Sequence, residues 1–397
     1  MAFSWYGANR TLGVLKSIPA VARDYSAIAT IEGPQDLSRV PVITEKKYLQ
    51  VMRHIWQRMP PPHSAHIFMS SGSTGEPKIG MHPAHQYIPS IAAVWEPLPT
   101  ERNLFIDFAT AGKACAASHF FRELCHYQGF VSLNLGGITS RDELDAVWSR
   151  IIREANATAV GGTPTQLEFI ASYFADRHET LDSVKSVVWL SEPLKQHHEA
   201  CIRAVFPNAG LWSVYGSIET WVIGYQTPDM ARDEYLILPY QHIEQKGEDL
   251  LITCLHPEII NPILRYVLHD RIQVVEQDEF GAVRRMIVVG RSDNRIVVDG
   301  YNLTPDLIVS TTNKIPGIRD SQIIFTREKG AVKDIELRLA KQDRDVVVSR
   351  TAILKSLMAA DPENIVLLER LVVNEHEGLI VNNRTGKCPA RVFRDAP

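Results

Sequence analysis

Between about residues 51 and 289 the chain alternates short apolar runs, rich in β-branched and aromatic residues, with stretches of helical periodicity. No other feature constrains the fold as strongly. Residues 104–108, 131–135, 157–160, 186–190 and 211–215 read as strands, and 120–127, 144–154, 166–174 and 196–205 as helices. Such alternation predicts an α/β architecture with mainly parallel sheets, because a parallel strand pair needs a crossover long enough to hold a helix. Farther on, residues 249–254, 263–267 and 271–275 read as antiparallel strands, a small barrel-like β region appended to the sheet. The pattern then restarts beyond 290–294, with new strands at 322–326, 335–340 and 365–368 and a helix over 344–358. This places a boundary there: a large N-terminal domain over 1–290 and a small α+β domain over 291–397, of a size for a mobile lid.

With 397 residues the chain is too long for one ordinary core, which agrees with two domains. A net charge of −4 with scattered basic residues gives no electrostatic footprint for nucleic acid and no polybasic patch for a membrane. The N-terminus lacks a basic region followed by a long apolar segment, and no run of about 18 apolar residues occurs later, so a cytoplasmic protein is expected. Five cysteines, widely spaced and never in a Cys-x-x-Cys pair, argue against a disulfide framework or a zinc site built on thiolates. The His197-His198 pair beside Glu199 lacks the His-Glu-x-x-His pattern and reads as solvated helix surface.

The segment most suggestive of chemistry is the loop Ser70, Ser71, Gly72, Ser73, Thr74 and Gly75, followed by Pro77 and Lys78 and preceded by a short apolar strand. Glycines let a backbone approach an anion closely, hydroxyl and main-chain N–H groups supply donors, and the lysine adds a positive charge. Glu76-Pro77 before Lys78 rules out a Walker loop, in which the lysine follows glycine directly and opens a helix. Four more segments matter by their order. Tyr215-Gly216-Ser217-Ile218-Glu219 closes a strand; the tyrosine suits either core packing or stacking on a base, and the acid suits a magnesium ion near phosphates. Asp270 follows an apolar strand and either accepts ribose hydroxyls or pairs with Arg271. Gly290-Arg291-Ser292-Asp293 lies at the inferred boundary, where it suits a hinge, and Asn383-Arg384-Thr385-Gly386-Lys387 forms a basic loop near the C-terminus.

In combination these segments resemble the acyl-adenylate-forming superfamily, and within it the phenylacetate coenzyme A ligase branch, from Asp36 to Arg391. The resemblance implies that residues 70–75 and Lys78 hold ATP phosphates, that Tyr215 and Gly216 neighbour adenine, and that Glu219 binds Mg2+. It further implies an adenine-side turn at Ser191-Glu192-Pro193, ribose binding by Asp270, a contribution from Arg291, a hinge at Asp293 and catalysis by Lys387 on the lid. The chain departs from the family pattern where Leu190 or Ser191 replaces a glycine and Ile218 a threonine.

The chemistry so implied is ATP-dependent activation of a carboxylic acid to an acyl-adenylate, then transfer to coenzyme A or to the phosphopantetheine thiol of a carrier protein. An amine acceptor, or a sensor that binds nucleotide without turnover, is the alternative. Ala111, Lys113 and Trp212 are candidates for the acyl pocket; small walls and aromatic surfaces suit an aryl acid, although the tryptophans fit a core equally well. A homodimer is compatible with the resemblance.

Overall fold

A computed structural model describes residues 4–58, 63–70, 77–95, 103–247, 249–291, 296–298, 301–328, 331–343, 345–362, 368–382 and 387–395. These residues form two compact units that divide between Val289 and Gly290.

In the first unit, helices Tyr6–Ser17 and Glu45–Arg58 precede an antiparallel hairpin of β1 (Ala65–Met69) and β2 (Ile79–Pro83). A nine-stranded sheet follows, built from β3 (Leu104–Asp107), β4 (Val131–Asn134), β5 (Ala159–Gly162), β6 (Ser186–Leu190), β7 (Gly210–Ser217), β8 (Trp221–Gln226) and β9 (Glu234–Ile237), together with two later strands. Next come β10 (Gln241–Lys246), β11 (Asp249–Cys254) and β12 (Tyr266–Leu268), then the two strands that complete the large sheet, β13 (Asp270–Gln277) and β14 (Val283–Arg291). The order across the large sheet is β13-β14-β9-β8-β7-β6-β5-β3-β4. From β4 to β7 the pairing is parallel, with helices as crossovers, and from β7 to β9 it turns antiparallel. The sheet therefore changes character at β7, the strand whose end leads to Glu219.

The central strands β5 and β6 are covered on both faces, so they carry no polar alternation, whereas the edge strand β4 is largely exposed. Every residue of Ser186–Leu190 is buried. Val188, Leu190 and Trp212 join the core on one face, whereas Val187, Trp189 and Leu211 join the core on the other. The crossover helix Pro164–Ala175 starts where its sequence dictates: Thr163 and Gln166 form a reciprocal capping box and proline occupies the first turn. Helix Ala117–Gln128 ends at Gly129, which takes a left-handed φ of 76°.

The expected barrel-like region is an open three-stranded antiparallel sheet of β10, β11 and β12. The strand from Asp270 leaves it and becomes an edge of the large sheet; from Asp270 to Val275 partly buried and exposed residues alternate, so one of its faces meets solvent.

In the second unit, strand Ile318–Glu328 pairs antiparallel with Ala331–Lys341, and parallel strands Val372–His376 and Arg391–Asp395 extend this sheet on either side. Helices Pro305–Thr312 and Arg350–Ala360 supply Ile308, Ile353 and Leu357 to its core. The strand expected over 365–368 falls largely outside the described residues.

Candidate functional site

The site is built around the turn from β7 to β8. A register shift between Tyr215 and Gly216 bends the hairpin, and a Cβ at Gly216 would lie 2.2 Å from the Trp221 carbonyl oxygen, so the position requires glycine. The turn is held on all sides by polar groups. Thr220 N–H donates to Ser217 Oγ at 3.1 Å, Asn261 Nδ2 donates to the Glu219 carbonyl at 2.7 Å, and Gln241 Nε2 donates to the Thr220 carbonyl at 3.1 Å. His82, fully buried on β2, meets the Ile218 carbonyl through Nε2 at 2.7 Å. Burial pushes the His82 imidazole down to about 4, so at neutral pH the ring is uncharged and donates from Nε2.

Strand β2 lies hard against this turn, because a Cβ at Gly80 would stand 2.0 Å from the Ile218 oxygen. That close approach delivers Lys78, two residues earlier, to Glu219. The Lys78 ammonium sits 2.9 Å from Glu219 Oε1 and 2.8 Å from Glu45 Oε2, and Tyr266 Oη donates to the same Glu219 Oε1 at 2.8 Å. Glu219 is almost wholly buried, at 4% exposure. Burial opposes its ionisation, but the Lys78 charge and the bonds from Lys78 and Tyr266 outweigh burial and hold the carboxyl below the usual range. Burial likewise opposes the charge on Lys78, and Glu219 with Glu45 more than offset it, raising the ammonium above its ordinary 10.5. Both groups are therefore charged at neutral pH. Ser70 clasps the same segment: its N–H donates to the Lys78 carbonyl and its Oγ accepts from Lys78 N–H, each at 2.9 Å.

A second polar pair lies across the hairpin, where Tyr215 Oη donates to Asp270 Oδ2 at 2.5 Å and the Tyr215 ring packs on Tyr235 at 5.1 Å. Asp270 opens β13 and is only partly buried. At the end of the neighbouring strand β6, Ser191 adopts a left-handed φ of 75°, a conformation natural to glycine. Glu192 Oε2 accepts from Thr165 N–H at 3.2 Å and from Thr165 Oγ1 at 2.8 Å, which fixes the Ser191-Glu192-Pro193 turn to the first turn of helix Pro164–Ala175.

The structure thus brings Lys78 and Glu219 together, and Tyr215 and Asp270. Trp212 is core, buried at 7% and packed 6.0 Å from Trp95, while Ala111 and Lys113 are exposed on a loop with consecutive left-handed residues at Lys113 and Ala114. Residues 71–75 of the Ser/Gly loop and Asp293 lie outside the described residues, as does the side chain of Arg291, whose backbone ends β14. In the second unit, the buried Gln322 bonds to Ile380 on one arm of the C-terminal loop and to Pro389 on the other, and the Lys387 carbonyl accepts from Asn382 N–H at 2.7 Å.

A family profile described as AMP-binding enzyme matches residues 15–240, more than half of the chain. The chain belongs to the AMP-binding enzyme family. It is 36% identical over 90 residues to an indoleacetate–lysine synthetase of Pseudomonas savastanoi, a match covering 22% of each chain. It is 27% identical over 267 residues, 66% of this chain and 57% of the other, to a 4-coumarate–CoA ligase of Cereibacter sphaeroides. The chain thus spans less than two thirds of the length of the curated relatives it matches. Its fold is shared by a 2-hydroxyisobutyryl-CoA ligase solved in the postadenylation state with 2-HIB-AMP, at a TM-score of 0.67 and 15% identity over 99% of this chain and 91% of that one.

Several residues of this AMP-binding enzyme that complete the cluster carried no signal of their own in the sequence. Tyr266 lies within the strand expected over 263–267, just before Asp270, so that strand was the available clue. Glu45, Asn261 and His82 belong to no motif, and only the folded geometry assigns them. The His197-His198 pair is not solvated surface: His198 is buried at 4%, and both rings face Glu168 of the adjacent helix. That burial comes from packing of helix Gln196–Val205 on helix Pro164–Ala175, which no local pattern encodes.

Proposed function

We propose that this protein couples ATP to a carboxylic acid, forming an acyl-adenylate and releasing pyrophosphate, and then passes the acyl group to a thiol. The observation that supports it most is the buried Lys78–Glu219–Tyr266 cluster at the end of β7, beside the Tyr215–Asp270 pair, in a chain of the AMP-binding family. A carboxylate oxygen of the acid attacks the α-phosphorus, the bond from that phosphorus to the bridging oxygen breaks, and pyrophosphate leaves. The acceptor thiolate then attacks the acyl carbon and AMP departs.

The residues divide the work as follows. Residues 70–75 surround the phosphates, Tyr215 and the 191–193 turn line the base, and Asp270 accepts the ribose hydroxyls. Residues 1–290 form the adenylation domain; 291–397 form the lid, with Arg291 and the hinge residue Asp293 at its root and Lys387 brought to the reacting phosphate. Mg2+ suits Glu219, because the carboxyl is held ionised, the Lys78 and Tyr266 bonds both fall on Oε1, and the ion takes only one or two carboxylates beside substrate phosphates. The ion would supply charge neutralisation on those phosphates. The acid is a small or aryl one, and the thiol belongs to coenzyme A or phosphopantetheine. An amine acceptor is the second reading, favoured by the 36% identity to a synthetase that joins indoleacetate to lysine.

Pyrophosphate release with ATP, Mg2+ and a panel of acids, in wild type and Lys387→Ala, tests the proposal. Acid-dependent release that falls by about a hundredfold or more in Lys387→Ala is expected, the scale for loss of one positioned charge. ATP binding without release for any acid would refute it in favour of a nucleotide sensor. Subsequent addition of coenzyme A or of lysine separates thioester from amide formation.

A further inference from the structure

Away from the Glu219 cluster, the described residues contain one set of side chains with the chemistry of a cation site. Glu168 projects from helix Pro164–Ala175, and His197 and His198 from the first turn of helix Gln196–Val205. One ligand atom from each can be chosen so that all lie within 4.8 Å of one another. The two imidazoles address different oxygens of the same carboxylate: His197 Nε2 is 3.8 Å from Oε1 and His198 Nε2 is 3.8 Å from Oε2. Both gaps exceed a hydrogen bond and approach the spacing of about 3.3–3.6 Å that bonds of about 2.0–2.2 Å impose between ligands of a tetrahedral ion.

We propose that Glu168, His197 and His198 form a binding site for a divalent transition-metal ion, zinc above all, that ties the two crossover helices together. Two imidazoles and one carboxylate are the donor set for zinc and its borderline-soft neighbours; calcium and magnesium require more oxygens. The positions are well prepared, with His198 4% exposed and the side chains of Glu168 and His197 19% and 17%. The amino terminus of helix Gln196–Val205 opposes a cation, and the Glu168 charge compensates for it.

Proton balance is explicit at His198. Its Nδ1 accepts from Lys195 N–H at 3.3 Å, which leaves the proton of the neutral ring on Nε2. Metal uptake moves that proton to Nδ1 and gives up the Lys195 bond, which is long and weak. The ion would also brace the turn between the helices, since Thr165, one turn before Glu168, holds Glu192 at 2.8 Å. Metal binding itself does not depend on the role proposed for that turn.

The test uses tag-free, chelator-treated full-length protein, titrated with Zn2+ against a chromophoric chelator and with Co2+ read by its visible d–d bands. One zinc per chain and intense tetrahedral Co2+ bands are expected. Glu168→Gln and His197→Asn should each weaken zinc at least about tenfold, the scale on which even supporting residues of metal sites act. The thermal midpoint should rise with zinc in wild type and, at the same zinc concentration, rise less in each variant. Circular dichroism of the metal-free variants matching wild type excludes misfolding, and His197→Asn serves alone if Glu168→Gln does not fold. Absence of stoichiometric zinc, or uptake unchanged by both substitutions, overturns the proposal.

Discussion

Replacing Lys78 with methionine keeps most of the side-chain volume and removes the cation that Glu219 and Glu45 share, their carboxylates lying 2.9 and 2.8 Å from its ammonium. Glu219 would then be a carboxylate in a nearly dry site with no cation against it among the described residues, Tyr266 still donating to Oε1. Removing one partner of a buried pair costs about 3–5 kcal/mol, since the survivor keeps its desolvation penalty. Lys78→Met should lower the unfolding free energy by that amount in urea melts followed by tryptophan fluorescence, and Lys78→Met/Glu219→Gln should recover most of it.

The pH dependence provides the sharper check. In the wild type, Glu219 is depressed below its ordinary 4.5, so its contribution is complete above that value and is lost only as pH falls through the lower folded value. Lys78 is raised above 10.5, so its contribution is complete below that value and is lost as pH rises through the higher folded one. The pair therefore adds no slope between about pH 5 and 10. In Lys78→Met the sign for Glu219 reverses: burial without a cation raises its folded pKa, and the protein becomes more stable as pH falls from 8 toward 5. A loss that is independent of pH, or a double variant no more stable than the single one, would refute the reasoning.

Two further outcomes concern neighbouring elements. Ser191→Gly relieves a left-handed φ of 75° and, after the added flexibility of the unfolded chain is subtracted, should stabilise by about 0.5–1 kcal/mol, seen as a rise of about 1–2 °C in calorimetry; a lower midpoint would show that the serine side chain is needed. Asp107 is pushed up to about 6 by burial, against bonds from Ser118, Ala109 and Asn134. Its folded pKa exceeds the ordinary 3.8, so its contribution is complete below that value and declines by about 3 kcal/mol as pH rises through 6. Asp107→Asn should flatten that part of the stability profile measured between pH 4 and 7, and an unchanged slope would assign it to other groups.

The centre of the parallel half was legible because strands covered on both faces, such as β6, must be apolar along nearly their whole length, and helices between them must show a 3.6-residue period. The region after β9 was less so, since an antiparallel run such as 271–275 alternates equally well in a small sheet or at the edge of a large one, and pairing partners decide which. At the site, Lys78, Glu219, Tyr215 and Asp270 stood out because short motifs surround them. The contact that joins the first two depends on Gly80 admitting the Ile218 carbonyl, an approach that sequence does not display. Glu45 reaches Lys78 from the start of its own helix, and Glu168 reaches His197 from 29 residues upstream, across a helix interface; neither distance has a periodic signature.

The ion pairing of Lys78 also bears on the acyl-adenylate chemistry proposed for this site. A mixed anhydride acylates any unprotonated amine within reach, the machinery of its own site included. An amine raised above 10.5 is free of its proton in fewer than about one molecule in a thousand at pH 7. By holding Lys78 as ammonium, Glu45 and Glu219 leave it able to attract phosphate while denying it the lone pair that self-modification would need.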